Sequence, residues 1–552
     1  LRGERRGSHR MRAPFSRTLA DLLAEQAGRY GDALAVVAGD RSTSYRHLAE
    51  RSSRVAAALH AQGIRHGDRV ALLMENRAEW LEFCFGSAAV GAVLAPFSTW
   101  STRAELDFLL RDSRARLLVL SNRFGDRDFA ADIAALVPES VQARSGGWRS
   151  VRFPDLTAII LVDGRPAAGW HDYEAFTAVE PLAAALPPGE SAAAGDDAYL
   201  LYTSGSSNRP KAVRLVHAGV IENGFNIGER QGLKPGDRVL LAPPLFWSYG
   251  GANALPATLT HGATLVLQPK FEAGEAIALV ERHRCTAIYT LPGMTAAMAR
   301  HPTYGPERLS SLRTGVTIGA PAEIAEAIDR LGATELCNIY GSTETYGNCC
   351  VTWHYWPRER RAACQGPPLP GIAIRIVDEA TRKPVEDSEI GLVEVAGYVT
   401  PGYAGASASL NAEAFTEDGF FRTGDIGRMN LDGSFTYIGR TAEMIKKAGI
   451  NVSPAEVEEI LLTHPAIAQA AVVGAPDAEK GEVVIAFVVP VAGAKPTVED
   501  LLRHCRGLIS KYKVPDHIEF RGALPFTVTG KLQRSALKAD AQSVVAGGER
   551  PQ

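Results

Sequence analysis

The sequence is short of the features that would make it a disulfide-stapled, membrane-spanning or nucleic-acid-binding protein. Seven cysteines in 552 residues are too few for a disulfide framework, and none is spaced as a CxxC pair. Cys349 and Cys350 are adjacent, but free cysteine behaves mostly as a small buried hydrophobe, and the pair is read that way rather than as a metal or redox site. A formal net charge of −3 supplies no overall attraction to nucleic acid or to an anionic bilayer. The longest apolar stretch, Phe83 to Phe97, is interrupted by Gly86, Ser87 and Gly91 and is too short to span a bilayer. Arg2, Arg5, Arg6, Arg10 and Arg12 come without the apolar run of a signal peptide, so the expected location is the cytoplasm.

What the chain does have is length and alternation. Its 552 residues exceed one compact core, so two or more domains are expected, and 46% apolar with 22% charged residues is ordinary for a globular protein. Between Ala33 and Leu120, extended runs alternate with helical ones: Ala35–Val37, Tyr45 to Ala61, Arg69–Met74, Ala78 to Val90, Ala92–Phe97, Arg103 to Arg111 and Arg116–Leu120. That alternation predicts an α/β fold with a largely parallel sheet and helices on both faces. Further strands are predicted at Ala158–Val162, Arg238–Ala242, Ala263–Leu267, Thr286–Thr290 and Glu335–Ile339, while Pro181 to Gly195 reads as a surface connection. Past Ile372 the extended runs shorten (Ile372–Val377, Gly391–Ala396, Gly433–Ile438). The final part reads as a small α+β domain: helix Pro454–Leu462, strands Ala470–Gly474 and Val483–Val489, helix Val498–Ile509, then a closing loop with a frayed end past Asp540. The domains are expected at 1–439 and 440–552.

One loop concentrates chemistry. Tyr202-Thr203-Ser204-Gly205-Ser206-Ser207-Asn208-Arg209-Pro210-Lys211-Ala212 follows the apolar run Ala198–Leu201 and gathers hydroxyls, a glycine and a lysine. Hydroxyls and exposed backbone N–H groups cradle phosphate oxygens and a lysine adds a point charge, so the segment reads as an ATP polyphosphate site. It resembles the phosphate-binding loop of the adenylate-forming superfamily (acyl-CoA synthetases, luciferases, peptide-synthetase adenylation domains), usually written YTSGTTGxPKG. On that likeness Thr203, Ser204, Gly205, Ser206, Ser207 and Lys211 hold ATP. Asn208 and Ala212 stand where the pattern has glycine, and Ser206 and Ser207 where it has threonine.

Further segments recur in the family's order. Ile318-Gly319-Ala320-Pro321 resembles the turn against adenine, which implicates Gly319, Ala320 and Pro321. Tyr340-Gly341-Ser342-Thr343-Glu344 resembles YGxTE; the likeness implies that Tyr340 stacks on adenine, Thr343 meets the α-phosphate and Glu344 holds Mg²⁺. Arg422-Thr423-Gly424-Asp425 resembles RTGD and sets Asp425 on the ribose hydroxyls. Gly439 to Gly449 resembles the hinge, with Ala442 as pivot, and the CoA-facing loop, with Arg440 and Gly449 among the cofactor contacts. Pro525 to Lys531 resembles PxTxxGK, with Lys531 as the mobile catalytic lysine. The chemistry suits these roles: an aromatic face for a purine, a hard carboxylate oxygen for Mg²⁺, and a cation where charge builds on phosphoryl oxygens.

The resemblance implies a large N-terminal domain of stacked α/β subdomains with a smaller β subdomain, then a small mobile α+β domain. Peptide-synthetase domains place an Asp near the segment that here reads Pro243-Pro244-Leu245-Phe246-Trp247-Ser248-Tyr249-Gly250-Gly251, where no carboxylate can pair with an amine. An amino-acid substrate is therefore disfavoured. The chain ends soon after Lys531 without room for a fused carrier domain, so a free thiol, coenzyme A, is expected as acceptor. Trp247 resembles the aromatic gate of acyl-CoA synthetases; the alternative is a packed core Trp. Gly250, Gly251, Gly347 and Cys349 fall where the acyl pocket is expected, their small size leaving volume for a bulky, mostly apolar acid.

The departures leave three readings open. Asn208 crowds an approaching phosphate, and Ala212 costs about 1 kcal/mol or more if its backbone needs φ > 0. The loop is then either a working variant or one weak in adenylation, so that the protein thioesterifies an acyl-adenylate made by a separate adenylating enzyme. The third reading, a non-catalytic nucleotide-binding relative, is opposed by the retention of Lys531, Glu344, Asp425 and Gly449. At the hinge, Ala442 and Glu443 replace the usual residues; rotation is expected to survive, and a polar contact biasing one conformation is expected to be lost.

Overall fold

Short aliphatic runs between helices assemble into two eight-stranded sheets in the computed structural model, which describes residues 11–143, 147–182, 185–187, 189–203, 210–405, 408–447, 450–477, 480–509, 513–526 and 532–547. In one sheet the strand order is Cys350–Val351, Glu335–Tyr340, Thr314–Thr317, Ala287–Tyr289, Arg238–Leu241, Thr264–Leu267, Leu34–Ala38, Arg41–Ser44. In the other it is Tyr403–Ala404, Lys211–Val216, Asp197–Thr203, Val93–Pro96, Arg69–Leu73, Leu117–Leu120, Ala158–Leu161, His171–Asp172. The inner pairings are parallel, and antiparallel neighbours occur toward the edges. Parallel strands covered on both faces read as unbroken aliphatic runs, and Leu117–Leu120, Ala158–Leu161 and Thr264–Leu267 are buried throughout.

One apolar cluster joins Val36, Leu241 and Leu265 of the first sheet to Leu72, Leu94 and Tyr199 of the second, through helices that include Tyr45–Ala61 and Ala78–Ala89. Every residue from Ala78 to Ala88 is buried. A helix buried all round belongs in such a layer, which accounts for the long apolar run starting at Phe83. Gly86 is required there: a Cβ on it would lie 2.6 Å from Cγ1 of Val55 on the neighbouring helix.

A four-stranded antiparallel sheet follows (Ile372–Val377, Gly391–Gly397, Phe421–Met429, Phe435–Arg440). The boundary drawn at 439/440 falls one residue inside the end of its last strand. The C-terminal sheet pairs Ile450–Val452, Ile445–Lys447, Gly481–Pro490 and Ile467–Asp477, with His517–Phe520 parallel to Gly481–Pro490. Val457, Leu461, Leu501 and Cys505 build the core on one face, and Leu537 and Ala541 build it on the other.

Local signals place some elements to the residue. The helices Tyr45–Ala61 and Pro454–Leu462 start after Ser44 and Ser453, whose hydroxyls cap the N–H groups of His47 and Glu456. Two expectations are corrected. The end of the chain is not a loop with fraying past Asp540 but contains the strand His517–Phe520 and the helix Arg534–Gly547. That helix meets the sheet through Leu537 and Ala541, one helical turn apart, with Val545 packed against the same core; its many alanines hid this stripe. The connection after Pro181 is also more than surface, since Leu182 and Leu186 pack against the main core. All seven cysteines are buried and free, as small hydrophobes. Among the described residues no helix is long and apolar enough to cross a membrane.

Candidate active site

The carboxyl ends of adjacent parallel strands open on one edge of a sheet, and ligands of such sheets bind there. Three predicted segments emerge at that edge. Pro243 to Gly251 follows the strand ending at Leu241, Ile318 to Pro321 follows the one ending at Thr317, and Gly341 to Glu344 follows the one ending at Tyr340. Strand order, rather than nearness in sequence, brings them together.

On the expected nucleotide side, the Tyr340 hydroxyl donates to Oδ2 of Asp425 at 2.7 Å, and Nε of Arg440 donates to Oδ1 at 2.8 Å. Asp425 and Arg440 are cross-strand partners, which fixes the pair. Burial pushes the Asp425 carboxyl above the usual carboxylate range; Arg440 and Tyr340 pull it back, and the charge of Glu344 adds to the rise. The Tyr340 ring lies 4.5 Å from Phe435 and 5.7 Å from Tyr437 and is only 5% exposed. The face expected to stack on adenine is thus largely covered by the protein's own rings. Gly319 and Ala320 form the turn into the helix Pro321–Leu331, where the Glu323 carboxylate accepts the Ala320 N–H at 2.8 Å. Ile318 leaves 42% of its surface open at that turn.

On the phosphate side, Thr203 and Lys211 are directly paired at the mouth of an antiparallel hairpin. Ser204, Gly205, Ser206, Ser207 and Asn208 lie outside the described residues. The Lys211 ammonium sits 5.2 Å from the centre of the Tyr403 ring, and the Tyr403 hydroxyl donates to Oε1 of Glu344 at 3.0 Å. Tyr403 therefore links the two groups expected to face polyphosphate and Mg²⁺, and no motif had marked it. Oε2 of Glu344 has no hydrogen bond among the described residues; a partly exposed carboxylate oxygen fits Mg²⁺, which takes one or two carboxylates and fills its shell with phosphate and water. Thr343 is held by its hydroxyl, 3.2 Å from that of Ser248.

Ala212 does not carry the feared strain. It is a buried strand residue between Tyr202 and Ala404, and it is not among the positive-φ positions. A ladder residue has extended backbone, so glycine has no conformational advantage there.

The expected acyl side is organised by a residue the sequence had not singled out. Asn76, 2% exposed, donates to the carbonyls of Pro243 and Gln268 at 3.0 and 3.1 Å and accepts the Leu245 N–H at 2.7 Å. It pins the loop that presents Phe246 and Trp247. Trp247 is half-buried rather than packed in a core, and its ring meets Trp100 edge-on at 5.1 Å, as does that of Phe246. The chain then makes a π-helical turn, Ser248–Ala254, a geometry frequent at functional sites. Two of the small residues expected to leave volume pack against backbone instead. A Cβ on Gly250 would lie 2.2 Å from the Pro244 carbonyl oxygen, and one on Gly251 2.5 Å from that of Leu245. These glycines serve close backbone packing. Cys349 is fully buried and donates its N–H to the Tyr340 carbonyl. Gly347, at φ +94°, keeps partial exposure.

At the small domain, Gly449 and Lys531 lie outside the described residues. The backbone of Ala442 belongs to the turn Thr441–Glu443 directly after Arg440; its side chain is outside the described set. Beside the hinge, Glu443 has a charged neighbour within the small domain itself. Arg534 lies 3.5 Å from the Glu443 carboxylate while bonding both oxygens of Glu458 at 2.7 and 3.0 Å.

Comparison with known proteins agrees with this geometry. Residues 23–404 match the family described as AMP-binding enzyme, and residues 456–531 match the AMP-binding enzyme C-terminal domain. YngI of Bacillus subtilis, an inferred acyl-CoA synthetase, is 32% identical over 470 residues, covering 84% of this chain and 85% of YngI. The mitochondrial medium-chain acyl-CoA ligase ACSF2 of Mus musculus is 30% identical over 479 residues, covering 84% of this chain and 77% of ACSF2. The structure of ATP-bound MatB from Rhodopseudomonas palustris is similar with a TM-score of 0.82 and 27% identity, over 95% of this chain and 99% of MatB.

Proposed function

The chain belongs to the AMP-binding enzyme family, with acyl-CoA synthetases among its relatives, and we propose that it converts a bulky, mostly apolar carboxylic acid to its CoA thioester through an acyl-AMP intermediate. It is an acid–thiol ligase that uses ATP and coenzyme A. The observation that carries the reading is the Tyr340–Asp425–Arg440 cluster, which joins the sheet edge to the last strand before the hinge and offers a buried carboxylate to ribose hydroxyls.

In the first step the substrate carboxylate attacks the α-phosphorus of ATP; the acyl–phosphate bond forms, the α–β phosphoanhydride breaks and pyrophosphate leaves. Thr343, set by Ser248, faces the α-phosphate, and Lys211 faces the polyphosphate from above Tyr403. Mg²⁺, held through Glu344, supplies charge neutralisation on the phosphates when bound. Lys531 bridges carboxylate and α-phosphate as charge builds there. In the second step the small domain turns about Ala442, the CoA sulfur attacks the acyl carbonyl, the thiol proton is lost and AMP leaves. Trp247 is assigned to the pantetheine path, and Gly449, outside the described residues, keeps the CoA-facing role that the family resemblance gives it. The name of the mouse relative, a medium-chain ligase, supports an extended apolar acyl chain, and a cytoplasmic location belongs to this reading.

The full two-step cycle is favoured over thioesterification alone because Ala212 sits unstrained in its strand, which leaves Asn208 as the remaining departure that could crowd phosphate. The test is chromatographic. Purified protein with MgATP, CoA and medium-chain acids should yield acyl-CoA and AMP, together with ATP–pyrophosphate exchange in the absence of CoA. Failure of folded protein to form any thioester from supplied acyl-AMPs and CoA sinks the ligase reading. Thioester formation without exchange, restored by Asn208→Gly, would establish the adenylation-impaired form instead.

A further inference from the structure

The π-helical turn holds one fully buried polar side chain, and its orientation is dictated from behind. Asn253 is fully buried within Ser248–Ala254. Its Oδ1 accepts the Tyr289 hydroxyl at 2.8 Å, and the oxygen of that hydroxyl accepts Nε2 of Gln231 at 2.9 Å. Nε2 of Gln231 also donates to the Ile227 carbonyl at 3.4 Å. A carbonyl can only accept, so the Gln231 amide must point its NH₂ group along this row. Tyr289, already accepting from Gln231, must give its own proton onward. The row therefore runs Gln231 to Tyr289 to Asn253, with the Gln231 Oε1 without a partner at its start and the Asn253 NH₂ at its end among the described residues.

That end has no partner. Nδ2 of Asn253 is buried and makes no hydrogen bond among the described residues. An unpaired buried donor is costly and calls for an explanation, of which a missing ligand is one. The neighbour it faces is Gly347: a Cβ placed on that glycine would lie 3.4 Å from Nδ2, with the Ser248 carbonyl oxygen 3.3 Å away on another side. Gly347 is partly exposed, so the N–H lies directly beneath a side-chain-free stretch of backbone that borders the surface of the site. The side chains of the row, Gln231, Tyr289 and Asn253, are uncharged. A carboxylate at this point would be buried without a counter-charge, whereas a neutral oxygen would satisfy the donor.

We propose that Asn253 is a specificity-determining residue whose amide N–H donates to a neutral oxygen on the body of the acyl group, so that the substrate is an oxygen-substituted acid, with a keto, hydroxyl or ether group, rather than a plain hydrocarbon. Tyr289 and Gln231 are positioning residues that fix which end of the amide faces the pocket. The inference rests on the reading of Gly347 as a border of the acyl site.

The experiment compares medium-chain acids in matched pairs, one member with a keto group and the other with a methylene at the same position, moved stepwise along the chain. At one position the keto acid should exceed its partner in kcat/KM by about 10-fold. Asn253→Leu should bring that ratio to about one. Because both acids are measured on the same folded enzyme, each ratio is independent of expression and stability. The inference is overturned if thioesters form but no keto acid surpasses its hydrocarbon partner, or if the preference survives Asn253→Leu. Absence of thioester from every acid and every supplied acyl-AMP would instead bring down the ligase reading, and this inference with it.

Discussion

The two sides of the site are built on opposite terms. On the nucleotide side Asp425 already has both oxygens engaged, by Tyr340 and Arg440, and Glu344 accepts from Tyr403. On the acyl side a row of neutral side chains ends in an N–H without a partner, beside the aromatic group of Trp100, Phe246 and Trp247. A ligand on the first side meets carboxylates that the protein already holds in place, with oxygens still able to accept, so binding there mainly sets geometry. A ligand on the second side must supply a bond that is missing, and a missing buried bond separates substrates that offer it from those that do not.

The largest effect that can test this division lies at the closing lysine. Lys531→Ala should lower ATP–pyrophosphate exchange about 10²- to 10³-fold, because a cation at the α-phosphate acts where charge develops. Thioesterification of supplied acyl-AMP should change far less, with the small domain turned away. Equal losses in both half-reactions would make the lysine structural and remove the alternation on which the nucleotide side depends.

A smaller effect concerns pH. The folded-state pKa of Asp425 is raised, so the folded protein takes up this proton before the unfolded chain does as pH falls. Its contribution to stability is therefore present below the unfolded value near 4 and is lost as pH rises through the folded value. Ribose hydroxyls donate best to the ionised form, so AMP affinity should weaken as pH falls through that raised value, and Asp425→Asn should abolish the dependence. The keto-to-methylene ratio should stay constant over the same range, since Gln231, Tyr289 and Asn253 do not titrate there. A ratio that moves with AMP affinity in calorimetric and kinetic titrations would show that the two sides are not separately built.

The smallest effect is at the hairpin. Ala212→Gly should cost about 0.5–1 kcal/mol of stability, from backbone freedom in a strand, and should not raise exchange. Increased exchange in that variant would mean that Ala212 does hinder the phosphate loop despite its extended backbone.

The legible parts of this chain were those encoded locally. Tyr45–Ala61 and Pro454–Leu462 carry their own caps in Ser44 and Ser453, and the strands Leu117–Leu120 and Ala158–Leu161 carry unbroken aliphatic runs. Tyr340, Thr343, Glu344 and Asp425 were legible because a motif keeps its spacing within a few residues. Asn76, Trp100, Tyr403 and Asn253 carried no such signal, since each acts on a residue far off in sequence. The helix Arg534–Gly547 escaped for another reason: alanine contributes to a core without standing out from its neighbours.

By itself, then, the sequence determined the α/β class, the family and the order of the segments expected to meet nucleotide, because these depend on residue type and short-range spacing. Only the tertiary structure decided that Tyr340 and Arg440 share Asp425, that Gly250 and Gly251 are packed rather than open, and that the Asn253 amide faces Gly347 with its donor. The direction of a hydrogen bond is set by what its partner is already bonded to, and here those partners come from strands and helices that meet only when the sheet is assembled.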